Sequence, residues 1–183
     1  MKTLQIISLV AGLSLSALIG CEQSPPTPVV TTPAPATTSV QLPTSFFAST
    51  EPADAVALID IKTSAKPGDQ VVFYARIGGR KKPFIENRAV FAVADASLVP
   101  CEQEDGEGCQ TPWDYCCEGS DSLLKHMATI QIVDDAGQPL KLSLLSEHGL
   151  EPLKTIFVSG TVHQIDESGV FVVNADSIYV QES

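Results

Sequence analysis

The chain has 183 residues, of which 44% are hydrophobic and 6% aromatic. That is enough for one compact core and too short for two full-sized domains. Eleven Lys and Arg against twenty-two Asp and Glu give a formal charge of −11, which excludes a general affinity for nucleic acid, since that needs clustered positive charge.

Lys2 gives a short positive start, and Leu4 to Ile19 carries no charge. At about 1.5 Å per residue this run reaches roughly 24 Å, short of the roughly 30 Å of hydrocarbon that a spanning helix crosses. A basic start, a short apolar run and small residues at its end form the pattern of an export signal over residues 1–20. The end of the run, Leu18-Ile19-Gly20-Cys21, resembles the lipobox of bacterial lipoproteins. The resemblance implies cleavage before Cys21, diacylglycerol on its thiol and acylation of its new amino group. Two or more chains give lasting attachment where one gives only marginal binding. The expected address is the cell envelope, with the membrane as a partner through the lipid anchor.

A tether follows. Glu22 to Ser45 holds six Pro, six Thr and one charge. Proline fixes φ and favours extended chain, and the segment has too few large apolar side chains to offset the cost of ordering its backbone. Residues 21–45 are therefore expected to be a lipidated, disordered stalk, able to reach roughly 70 Å where extended.

The folded part is expected over residues 46–183. Ser49 or Thr50 can cap a helix with Pro52 in its first turn, and the stripe of Val56, Ile59 and Thr63 carries it to about Ser64. Lys66-Pro67-Gly68-Asp69 stops it. The period then changes to two. Strands are predicted over Gln70 to Ile77, Arg88 to Asp95, Met127 to Val133, Leu140 to Leu145, Lys154 to His163 and Val170 to Val180. Gly160 marks a bend or close approach, and Asn174-Ala175-Asp176 a possible interruption. Such spacing implies an all-β sandwich or small barrel.

The segments ATIQIVDDAGQPLKLSLL, HGLEPL, KTIFVSGTVHQ and GVFVVNADSIYV, with GDQVVFYARIGG as an opening strand, resemble an OB-fold. The match spans roughly Asp69 to Val180. It implies a small barrel of five or six strands, here preceded by the one short helix and interrupted by a cysteine-rich insertion at 96–125.

That insertion holds Cys101, Cys109, Cys116 and Cys117, every cysteine besides Cys21. In an exported protein four cysteines imply disulfides. Adjacent Cα atoms lie about 3.8 Å apart, closer than the roughly 4.4–6.8 Å of normal bridges. Cys101 and Cys109 would therefore each take one of the adjacent pair, contributing about 3 kcal/mol per closed loop, with Trp113 and Tyr115 covering the bridges or plugging the barrel end. The alternative is a thiol site for zinc or copper, formed by the same four cysteines with His126. Its C-x7-C-x6-C-C spacing lacks the close pairs of structural zinc sites. Asp114 and its acidic neighbours read as a solvated loop, without the calcium pattern of an EF-hand.

A basic cluster stands out against the acidic whole: Arg76, Arg80, Lys81, Lys82 and Arg88, flanking Gly78-Gly79. With Trp113 it is the candidate ligand-binding rim, and the expected partner is an envelope protein or a small anionic ligand. His126, His148 and His163 sit in no catalytic motif, and neither a G-x-S-x-G nor a phosphate-cradling glycine pattern occurs. The expectation is a non-catalytic binding module without a cofactor.

Overall fold

A computed structural model of the chain describes residues 41–101 and 109–182. The export signal, Cys21, the stalk up to residue 40 and the acidic centre of the cysteine loop at 102–108 lie outside the described residues. Among those described, no helix is long and apolar enough to cross a membrane.

The fold is the expected small all-β barrel. Its elements are β1 (Val56–Ala57), α1 (Leu58–Ser64), β2 (Gln70–Ile77), β3 (Val90–Ala94), α2 (Ser120–His126), β4 (Met127–Gln131), β5 (Thr155–Ile165) and β6 (Phe171–Val180). The strand order is β1-β2-β3-β4-β6-β5, and β2 also pairs with β5, so β2 to β6 close on themselves. Closure removes exposed strand edges. The β2–β5 seam runs through seven consecutive antiparallel pairs, from Gln70↔Thr161 to Arg76↔Thr155. The opposite edge of β2 is shared. β1 takes Phe73 and Tyr74 in parallel, and β3 takes only Arg76 and Ile77.

Alternation in β2 is what the sequence promised: Val71, Phe73, Ala75 and Ile77 are buried. They meet Phe91 and Val93 of β3, Ile130 of β4, Ile156 and Val158 of β5, and Phe171 and Val173 of β6 in one core. The interruption in β6 is a bulge. Ser159 pairs with Ser177 but Gly160 pairs with Ala175, leaving Asp176 as the extra residue. The extra residue reverses the inward parity, so Phe171, Val173 and Ala175 are buried before it and Ile178 after it. Gly160 is required there, because a Cβ would collide with the Asn174 carbonyl.

Two expected elements differ. The helix begins at Leu58, not after Thr50, because Val56 and Ala57 extend to pair with β2. Ala57 cannot cap it. Asp95, thirty-six residues from Ile59 in sequence, accepts the Ile59 N–H at 2.9 Å instead. The predicted strand at Leu140 to Leu145 is absent. Both edges of β4 are already occupied by β3 and β6, so the chain makes the isolated Val133↔Pro139 bridge and Leu140 bonds to Ile132 and Ala89, but no strand continues beyond Leu140. The segment covers the core with Leu144, and with Leu140 and Leu142 packed beside it.

Asp95 is 1% exposed, the buried charged side chain among the described residues. It also accepts the backbone N–H and hydroxyl of Ser97. Burial pushes its carboxyl up. The Ser97 side chain, the Ser97 and Ile59 backbones and nearby His126 outweigh that and hold it below the ordinary range. A depressed pKa in the folded state stabilises at pH values above the unfolded value and loses that contribution as pH falls through the folded one. Asp95→Ala should cost about 2 kcal/mol at neutral pH. In urea titrations the difference from wild type should shrink below about pH 4. Gly160→Val should cost at least about 2 kcal/mol in the same assay, through overpacking against backbone that cannot yield.

Candidate functional site

The insertion between β3 and β4 has its own small core. Leu98 and fully buried Tyr115 pack with Ala94, and Leu123 and Met127 lie alongside. Tyr115 is the apolar anchor that the loop's composition conceals. Arg76, half-buried on β2, donates to the Leu98 carbonyl at 3.0 Å and to the Tyr115 hydroxyl at 3.4 Å. A β-strand arginine thereby holds both arms of the loop.

Residues 111–116 form a tight turn that sorts its side chains. Pro112 opens a single 3-10 turn, Pro112–Asp114, and Tyr115 takes a left-handed conformation at φ 53°. Tyr115 is thrown into the core, while Trp113 faces the loop after β2, donating its Nε1–H to the Lys81 carbonyl at 3.2 Å. The Trp113 carbonyl accepts the Gly79 N–H at 2.7 Å. It lies so close to Gly78 that a Cβ there would strike it, so the glycine pair admits the turn.

On the other side of this turn the sulfurs converge. One donor atom from each of Cys101, Cys109, Asp114 and Cys116 lies within 4.8 Å of all the others. Cys101 Sγ and Cys116 Sγ are 3.7 Å apart. Asp114 is oriented from two sides, accepting the Thr111 hydroxyl at 2.8 Å on one oxygen and the Cys116 N–H at 3.0 Å on the other. Burial pushes the Cys101 thiol up, but hydrogen bonds from the Cys117 backbone and side chain, then from the Cys116 and Cys109 side chains, bring it below its ordinary value. Cys116 is pushed up to about 12 by its hydrogen bond to Cys101, then by local desolvation and by Asp114. Cys101 is thus the acidic thiol of the cluster, surrounded by its donors.

His126 does not belong to this group. Its Nδ1 lies 2.8 Å from the Ser122 carbonyl at the end of α2, and it lines a separate depression beside α1. Asp114, read from sequence as a solvated acid, stands in the donor set instead. Motif reasoning counts cysteine and histidine spacings, so only the fold could nominate it.

The basic cluster divides. Arg76 is committed to Leu98 and Tyr115, away from any groove. Arg80 lines a small depression with Met127 and Phe171, and Arg88 is exposed. Lys81 and Lys82 do share a groove with Trp113, a concavity of about 450 Å³ also walled by Phe84, Ile85 and Leu145. Lys82 and Glu86 approach to 3.8 Å, but at 85% and 86% exposure the pair contributes little.

A further cation escaped the sequence reading. Lys62 on α1 donates to the carbonyls of Leu124 at 2.7 Å, Met127 at 2.6 Å and Gly169 at 3.2 Å, and desolvation lowers its pKa. It binds α1 to the α2–β4 junction and to the β5–β6 turn. His148 stacks on Phe47 with ring centroids 4.0 Å apart, and His163 is exposed.

Comparison with protein-family models, with curated proteins and with solved structures finds no match to this chain. Arg76→Ala should cost about 1–3 kcal/mol in chemical denaturation. It should also raise the mobility of Trp113, read as lower fluorescence anisotropy.

Proposed function

We propose that this chain is a lipid-anchored binding protein of the cell envelope whose cysteine loop takes a zinc ion. The anchor rests on Leu18-Ile19-Gly20-Cys21. The strand order, with β4 and β6 parallel and β2 closing on β5, supports an OB-type barrel as the carrier.

One observation carries the metal reading: the mutual approach of Cys101, Cys109, Asp114 and Cys116. Zinc holds thiolates at about 2.3 Å, which in a tetrahedron separates neighbouring sulfurs by about 3.8 Å. Cys101 and Cys116 stand at 3.7 Å. A carboxylate in the set favours zinc over copper(I), which prefers sulfur alone. The hydrogen bonds from Thr111 and Cys116 to Asp114 are the kind of outer support that orients a ligating carboxylate. Zinc here would tie the two arms of a loop that has little core of its own.

The second reading is a disulfide clamp. It is favoured by the hydrogen bonding of Cys117 to Cys101, which gathers all four sulfurs, and by the oxidising compartment that export implies. Mass spectrometry of the intact protein from its native source separates the two. The zinc reading expects four alkylatable thiols and one bound zinc, with acyl chains on Cys21. Loss of the thiol hydrogens without zinc supports the clamp. In titration, zinc at about 100 times its dissociation constant should stabilise the protein by about 2.7 kcal/mol. Cys101→Ser should abolish this, and Asp114→Asn should weaken affinity about 10- to 100-fold. His126→Ala should leave it unchanged.

A further inference from the structure

The groove beside Trp113 has a built-in recognition element that the metal reading does not use. Segment 83–85 lies antiparallel to β3. Pro83 accepts the Ala92 N–H at 2.8 Å, Ile85 donates to Val90 at 3.0 Å, and Phe84 bridges to Phe91. In such a pairing the residue between the two bonds turns its own N–H and C=O to the opposite edge. Phe84 therefore presents a donor and an acceptor outward. Pro83 costs that edge nothing, because its missing N–H would have faced β3.

The two ends of this outer edge are marked. At one end Trp113 bonds to Lys81, and at the other the Asn87 N–H donates to the Ser143 hydroxyl at 2.9 Å. Trp113 and Ser143 both line the groove, with Phe84, Ile85 and Leu145 between. The outer edge of segment 83–85 therefore runs along it. Ile85 is 44% exposed and Leu145 53% exposed, so two of the largest apolar side chains left in water wall the same concavity. Two cations, Lys81 and Lys82, line the groove against one acid, Glu86, on a chain whose formal charge is −11.

We propose that this groove binds an extended acidic peptide segment of a partner protein, added as a short strand along segment 83–85. Main-chain hydrogen bonds to Phe84 supply the pairing, alternate apolar side chains enter the space between Trp113 and Leu145, and the intervening carboxylates meet the lysines. Charge selects the acidic segment over basic or neutral ones. An extended backbone selects a peptide over a small anion.

Trp113 is the only tryptophan, so its emission reports the groove directly. The purified full chain is titrated with a capped hexapeptide alternating glutamate and valine. The expected result is a saturable change in Trp113 emission, weakened about tenfold or more by Lys81→Glu with Lys82→Glu, by Leu145→Glu, and by N-methylation of alternate peptide residues. Far-UV circular dichroism verifies that these surface variants fold. Four results would each overturn the proposal: no saturable change up to about 1 mM peptide, equal binding of a lysine–valine peptide, the same response to inorganic phosphate, or unaltered affinity in the double lysine variant.

Discussion

The β2–β5 seam is the constraint on which the rest of the molecule depends. Seven consecutive pairs join the first barrel strand to the fourth, turning an open sheet into a closed wall. Closure works only because Gly160 lets β5 pass against Asn174 and because Asp176 bulges out of β6. With the cylinder fixed, β2 ends where Arg76 can reach the insertion and where Gly78 and Gly79 can admit the Trp113 turn. The cysteine centre and the groove are both hung from that one strand end.

The insertion shows how a loop of weak composition is ordered without a core of ordinary size. Tyr115 is its largest fully buried side chain, and Arg76 offsets the burial of the tyrosine hydroxyl by donating to it. Asp95 acts at the same junction from the other side, tying the exit of β3 to the start of α1 through Ile59 and to the start of the loop through Ser97. Lys62 does the reverse job, a cation among three carbonyls. Few of these polar contacts lie within one element. Most cross between elements far apart in sequence, and such contacts fix the relative positions of parts that hydrophobic packing alone would leave loosely specified.

How much of this was legible in the sequence follows from what alternation can see. In β2 every second residue enters the core, so the pattern named the strand and its inward face. In β6 the same pattern broke at Asp176, and the break was real. Leu140, Leu142 and Leu144 alternate equally well, yet form no strand, because alternation says nothing about whether a neighbouring edge is still free. The start of α1 was misplaced because its cap comes from Asp95, far along the chain. The sulfur cluster was foreseen as cysteines without geometry. His126 was attached to it by nearness in sequence, while Asp114, two residues before Cys116, was set aside as solvated. Of the basic cluster, Lys81 and Lys82 meet Trp113 as expected, and Arg76 does not, since a strand residue points where its pleat directs it.

Trp113 and Asp114 are consecutive, one forming the wall of the groove and the other completing the donor set. No flexible linker insulates them, since the turn is bonded on both sides, through Gly79 and through Thr111. Whatever occupies the donor set and whatever occupies the groove therefore meet the same short turn, Pro112–Asp114.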